Sequence, residues 1–413
     1  MWIELYKDFV SDLKAQRTRA ILTIVAITWG TVAVVLLLAF GEGLGIQMRN
    51  GMLNAGDRIM IMYGGETGVQ FEWMPKGRKI RMVEEDAEML RQAIPMIAMI
   101  TPEYMNGVTL TYNNSSTTTT CEGVNPCFEE MRHMYPAAGG RFLDEFDVAQ
   151  RRRVLVLGTK IAKDVFKGED PIGKTVLVDA LPFTLVGIIQ DKIQTSSNNG
   201  PDSRRAVIPY TTFRATYGPE HVSAIVVRPN DPSQQEQVKS EIYRVLARKY
   251  RFNPTDERTL AIWDFIEEEK ISHKIEVGVS LFLMSVGVLT LLVAGVGVAN
   301  VMYVVVKERT REIGIKMAMG DRRRYILAQF IFEALLIAFI GGTVGMLFSW
   351  GVVSAVRMLP SDEGAMQFLG RPVLSPATML MTAGILAAIG LLAGFFPARR
   401  AASVDPVESL RYE

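Results

Sequence analysis

The sequence is poor in the residues from which most chemistry is built. It has two cysteines and three histidines in 413 residues. His133, His221 and His273 lie far apart, without the short spacing that places ligands around a metal, so no metal site is assigned. No G-x-S-x-G, no H-E-x-x-H and no spaced carboxylate set marks a catalytic centre. Basic and acidic residues balance, 45 against 44, for a net charge of +1, which removes any electrostatic reason to expect nucleic acid. No catalytic or cofactor-binding residue is assigned either.

Charge is also absent from four long stretches. Residues 20–40, 277–306, 334–356 and 372–398 contain no Asp, Glu, Lys or Arg. An apolar helix of roughly 20 residues crosses a bilayer core, and buried core helices seldom run this long uncharged. Four transmembrane spans are therefore expected, at 20–40, 277–306, 326–356 and 376–396. The first is expected to be a retained anchor. Its leader, 1–19, is long and amphipathic, with Ile3, Tyr6, Val10 and Leu13 on one face, and no A-x-A site follows.

Lys and Arg set the orientation. Lys7, Lys14, Arg17 and Arg19 precede span one. Lys307, Arg309, Arg311, Lys316, Arg322, Arg323 and Arg324 lie between spans two and three, and Arg399, Arg400 and Arg411 follow span four. The loop between spans three and four, 357–375, carries only Arg357 and Arg371. Both termini, the loop 307–325 and the tail 397–413 are thus expected in the cytoplasm, and 41–276 outside it.

The expected fold class is an α-helical membrane protein with four transmembrane helices and a large mixed α/β extracytoplasmic domain. Strands are expected around 57–63, across the Thr-rich 101–120, and at 175–178, 183–189, 206–209, 224–228 and 260–263. Helices are expected near 158–167 and 232–250. Two lobes follow, a membrane-proximal one from about 41–125 and 213–263 and an inserted distal one from about 126–212. The charged segment 264–276 reads as a helical stalk feeding span two. Cys121 and Cys127, both in this outer region, could close a short disulfide loop or stand as free thiols.

Gly168 to Thr175 fits the phosphate-loop pattern GxxxxGK[ST], but the order here is helix, turn, strand, and Glu169 and Asp170 would repel an anion. Small residues recur four apart inside the spans, at Gly295 and Ala299, Gly341 and Gly345, and Gly390 and Gly394, as close helix packing requires. Charges along a polar conduit are missing; Glu333 lies near the cytoplasmic edge and Asn300 is the only strongly polar amide deep in a span. The loop 307–325 is the informative segment. Ile313, Met317 and Met319 give a short helix apolar points among charges of both signs, and Gly320-Asp321 ends it. Such a helix suits a groove on a cytoplasmic partner, with Ile313 and Met317 as its expected anchors.

At these residues the chain resembles the MacB-like (FtsX-like) ABC transporter permeases. The resemblance rests on REIGIKMAMGDRRRYILAQFIFEALLIAFIGGTVG, on RTRAILTIVAITWGTVAVVLLLAFGEG, on VLGTKIAKDVFKGEDPIGKTVLVDALPFTLVGI and on GFFPARRAASVDPVESLRYE. It implies a MacB-like periplasmic core domain at 41–276 and a bacterial inner-membrane location. By position, Glu308, Arg311, Glu312, Ile313, Gly314, Lys316, Met317, Ala318 and Gly320 would contact an ABC ATPase. The chain carries no Walker or signature sequence, so ATP and Mg are expected on a separate cytoplasmic ATPase dimer, and this chain is expected not to be an enzyme. Further implied partners are a second permease copy, identical or related, membrane lipids, a periplasmic adaptor and an outer-membrane duct. The expected function is export of periplasmic cargo by mechanotransmission. The same architecture serves lipoprotein release and the regulation of cell-wall hydrolases.

Overall fold

The computed structural model describes residues 17–194, 200–359 and 370–403. The amphipathic leader expected over 1–19 lies outside the described residues up to position 16, as does the tail beyond 403. Helix α1 (Arg17–Leu53) comes first, followed by β1 (Met60–Gly64), α2 (Glu84–Ala93), β2 (Ile97–Tyr112) and β3 (Ser115–Val124). Short helices α3 (Phe128–Met131) and α4 (Glu145–Ala149) lead to β4 (Val154–Leu157), α5 (Thr159–Phe166), β5 (Thr175–Val178) and β6 (Leu181–Ile188). Then come β7 (Arg205–Pro209), α6 (Tyr210–Tyr217), β8 (Ala224–Pro229), α7 (Gln235–Tyr250) and β9 (Leu260–Asp264). Helices α8 (Phe265–Glu308), α9 (Thr310–Ala318), α10 (Arg323–Arg357) and α11 (Pro376–Ala402) follow. The chain divides into an α/β unit, Met48–His273, and a helical unit made of Met1–Gln47 and Lys274–Glu413.

In the α/β unit nine strands among the described residues share the order β3-β7-β4-β6-β5-β2-β8-β1-β9. The long β2 joins two sets of strands. Its first half pairs antiparallel with β8, from Ile97 opposite Pro229 to Glu103 opposite Ala224. Its second half pairs with β3, from Tyr104 opposite Gly123 to Tyr112 opposite Ser115. Because β2 also pairs with β5 at Leu110 and Thr111, the six strands β2, β3, β7, β4, β6 and β5 close into a ring. The β2–β3 hairpin turns at Asn113, whose φ of +49° suits the short side chain of Asn. The threonine run is strand for its β-branched preference; it pairs along β2, and from Thr120 onward β3 also pairs with β7.

Helix α7 shows why this unit holds its helices. Val238, Ile242, Tyr243, Leu246 and Ala247 recur at three- and four-residue spacing and are all buried, in one cluster with Leu155, Val176, Phe183 and Val227. Asp264 ends β9 and caps α8, its Oδ1 accepting from the amides of Ile266 and Glu267 at 3.0 and 3.2 Å. From there α8 runs 44 residues without interruption to Glu308.

Among the described residues four helices are long and apolar enough to cross a membrane: α1, α8, α10 and α11. Their packing uses the small residues. A Cβ on Gly341 would stand 2.9 Å from Ile27 Cβ, and one on Gly345 2.7 Å from Thr31 Cβ, so this face of α10 lies directly on α1. Thr28 Oγ1 donates to the Gly341 carbonyl at 3.1 Å across the same seam. Added Cβ atoms on Gly390 and Gly394 would approach Ala338 Cβ and Ala334 Cβ to 2.9 and 2.6 Å, which places α11 against α10. Gly295 of α8 faces Ile389 of α11, and Ala299 packs beside it on the same cluster. Helix α11 starts at Ser375, whose Oγ accepts from Thr378 N at 3.2 Å, with Pro376 in the first turn.

Candidate coupling site

The apolar run of α8 stops at Val306, and Lys307 and Glu308 close the helix. Arg309 leaves helical geometry, with φ −98° and ψ 11°, and α9 resumes at Thr310. The break is slight, because Arg309 N still donates to Val305 O and Ile313 N to Arg309 O, each at 3.0 Å. At the other end Gly320 has φ +107°, a conformation that favours glycine. Asp321 N donates to Lys316 O and Gly320 N to Met317 O, the paired bonds of a Schellman stop. Helix α9 is thus a two-turn element with defined ends, between two long apolar helices.

Its faces differ. Ile313 is 4% exposed and belongs to the helical unit's own cluster, with Ile326 and Phe330 of α10 and Ala398 and Ala401 of α11. Gly314 is buried, and Met317 packs half-buried against the same cluster. Ile313 and Met317, expected as anchors in a partner's groove, instead pack α9 against its own bundle. The outward face carries Arg311, Glu312, Ile315, Ala318, Met319 and Gly320, with Lys316 half-buried. Ile315 and Met319, four apart and therefore on one side of the helix, are 41% and 81% exposed. Ile313 with Met317 and Ile315 with Met319 have the same spacing, and the packing of α10 and α11 decides which pair turns inward. Glu308 lies at the joint, with its carboxylate 2.6 Å from Arg19 of α1.

The other sequence-assigned residues fall elsewhere. Cys121 lies in β3, fully buried, and Cys127 precedes α3, half-buried; both are free thiols. Burial pushes both thiol pKa values up, that of Cys127 to about 11. The stretch resembling a phosphate loop is a turn between α5 and β5. Lys174 is held there by Glu169, and Glu169 in turn accepts from Tyr112 Oη at 3.2 Å. The lysine that would meet a phosphate is already engaged.

The α/β unit also buries a cluster of charge-bearing side chains. Six ionisable side chains, Glu103 of β2, Glu122 of β3, Arg132, Lys192, Asp202 and Arg205 of β7, meet in its interior, and all except Lys192 are sealed from solvent. Asp202 accepts from Arg132 at 2.9 Å and lies 2.7 Å from Lys192, while Arg205 contacts Glu122. Neither carboxylate oxygen of Glu103 has a hydrogen-bond partner among the described residues. Burial raises its pKa above the ordinary value, against the opposing pull of Arg132 and Arg205. No local pattern signals this cluster, since its members come from separate strands and loops.

Residues 20–245 match the family model described as the MacB-like periplasmic core domain, and 284–406 match the FtsX-like permease C-terminal model. A macrolide export ATP-binding/permease protein MacB from Shewanella sp. (strain W3-18-1) is 31% identical over all of this chain and 61% of its own length. Another of that name, from Hahella chejuensis (strain KCTC 2396), is 32% identical over 99% of this chain and 60% of its own. The chain therefore spans about three-fifths of the curated relatives it matches. Among solved structures, the periplasmic region of MacB from Actinobacillus actinomycetemcomitans aligns with 55% of this chain and 95% of its own, at 22% identity and a TM-score of 0.42.

Proposed function

The chain belongs to the MacB-like permease family, with a MacB-like periplasmic core domain followed by an FtsX-like permease region, and from that premise we propose that it is the membrane subunit of an ABC-type exporter. In this reading α1, α8, α10 and α11 span a bacterial inner membrane, α9 faces the cytoplasm and the α/β unit faces the periplasm. An ABC ATPase docks on α9. Nucleotide-driven closure of a permease dimer then displaces the helices, and the periplasmic domains move cargo toward an adaptor and an outer-membrane duct. The membrane part acts as a lever, with α8 continuous in sequence and helix from Phe265 to Glu308.

The observation that carries the reading is the outward face of α9. A two-turn helix anchored inward by Ile313 presents Ile315 and Met319 with Arg311 and Glu312 beside them. Exposed apolar points at i and i+4, ringed by charges of both signs, are how a short helix seats in a hydrophobic groove. That these spans transmit motion is supported by their glycine and alanine contacts, and by the lack of charge along 277–306, 334–356 and 372–398.

The test is Ile315→Asp and Met319→Asp in membranes that also hold the ATPase. Each is expected to lower permease-dependent ATP hydrolysis by at least about tenfold, as loss of a central apolar anchor does. Amounts of inserted protein are expected to stay unchanged, because both side chains are exposed. Undiminished hydrolysis in both variants would refute the docking role of α9.

A further inference from the structure

The joint between α8 and α9 is held by two ion pairs that leave it in different directions. Glu308, the last residue of α8, meets Arg19 of α1 at 2.6 Å. Arg309, the next residue and the one that departs from helical geometry, meets Glu333 of α10 at 3.7 Å. The two pairs are unlike in environment. Arg19 and Glu308 are about half exposed, where water screens the attraction and the pair contributes little. The side chains of Arg309 and Glu333 are 15% and 6% exposed, so water and salt screen their attraction much less.

Glu333 is otherwise hard to account for. It is a carboxylate on an apolar helix, one helical turn from Phe330 and Ile337, both buried in the bundle cluster. Gln329 of the same helix donates to its Oε1 at 3.4 Å, the oxygen that also faces Arg309. Four residues beyond Arg309, the same joint is fixed again by Ile313, buried among Ile326 and Phe330 of α10. A largely buried ion pair at Arg309 and a buried plug at Ile313 therefore grip the break and the first turn of α9.

We propose that Glu333 is the positioning residue of α9. Through Arg309 it locks the α8–α9 joint onto α10, so that α9 moves with the bundle instead of flexing at the break. The proposal rests on the reading of α9 as a coupling helix only for its functional consequence. The positioning itself is a property of this chain. Without the lock, force applied to Ile315 and Met319 would bend the chain at Arg309 before it reached α8 or α10.

Hydrogen exchange of the purified chain in detergent, followed peptide by peptide, tests it. Glu333→Gln keeps the side-chain shape and removes the charge. It is expected to speed exchange of the α9 amides by about tenfold or more while peptides from α11 stay unchanged, the signature of local opening. The double variant Arg309→Glu with Glu333→Arg reverses the pair and is expected to restore protection. Unchanged α9 exchange in Glu333→Gln would overturn the proposal. So would loosening that extends equally through α10 and α11, which would mark Glu333 as a general structural residue. The same variants assayed for permease-dependent ATP hydrolysis separate the two readings. A loosened α9 with full hydrolysis leaves the positioning role standing and counts against α9 as the docking element.

Discussion

Replacing one glycine on each of two faces of α11 measures how closely the helices touch. Gly384 and Gly394 lie on the same helix, ten residues apart, yet a Cβ on Gly384 would meet nothing within 4 Å, while one on Gly394 would stand 2.6 Å from Ala334 Cβ. Both alanine substitutions gain the same intrinsic helix preference, about 1 kcal/mol, so this contribution cancels between them. What remains is contact. Apolar carbons rest at about 3.5–4.0 Å, so Gly394→Ala forces α10 and α11 apart by about 1 Å along a seam that includes Ala338 and Phe330. Inserting a methyl group into a filled interface costs about 1–3 kcal/mol, and that is the expected gap between the two variants. Thermal unfolding of the purified proteins in one detergent, at one scan rate, should place Gly394→Ala clearly below Gly384→Ala. Equal midpoints, or the reverse order, would mean that α10 and α11 are not packed as described.

Three further outcomes follow. Glu103 binds its proton more tightly in the folded domain than in the unfolded chain, since burial raises its pKa from 4.5. Its contribution therefore favours folding as pH falls through the window above 4.5, and Glu103→Gln should flatten that gain in a denaturant titration repeated across pH. If wild type and Glu103→Gln share one pH profile, the carboxyl is not the responsive group. With Cys127 held protonated up to about pH 11 and Cys121 sealed in β3, neither thiol should react quickly with an aromatic disulfide reagent at pH 7. Cys127 should react first as pH rises and Cys121 only on unfolding; rapid labelling of Cys121 in the native protein would contradict its burial. Ile313→Ala should destabilise the helical unit by about 2–5 kcal/mol, the range for emptying a buried aliphatic site. That effect on unfolding would distinguish it from the exposed Ile315, whose replacement by alanine should leave the midpoint nearly unchanged.

Much of the architecture was readable along the chain because its signals are local. Strands at 175–178 and 224–228 and the helix over 232–250 show as period-two and three-to-four-residue patterns, and the structure has β5, β8 and α7 there. Helix α2 and strand β4 went unassigned. The first is short and half of its residues are charged, and the second is four residues of unbroken apolar sequence, too short for a period to declare itself. The small residues four apart were legible as packing sites, but not their partners. Only the folded chain pairs Gly341 with Ile27 and Gly394 with Ala334.

The sequence by itself determined where charge is excluded for the length of a membrane crossing, that one polar α/β region interrupts those runs, and that a short charged helix ends at Gly320. Each follows from composition within a few turns of chain, where the cost of placing a charge or bending the backbone depends on the residue alone. The tertiary structure decided which side of α9 faces out, which helices the glycines join, and how six charged groups came together inside the α/β unit. Those outcomes depend on residues such as Arg309 and Glu333, or Glu103 and Arg132, that are distant in sequence and meet only through packing. Burial turns their charges from solvated and nearly neutral in energy into strong constraints on the fold.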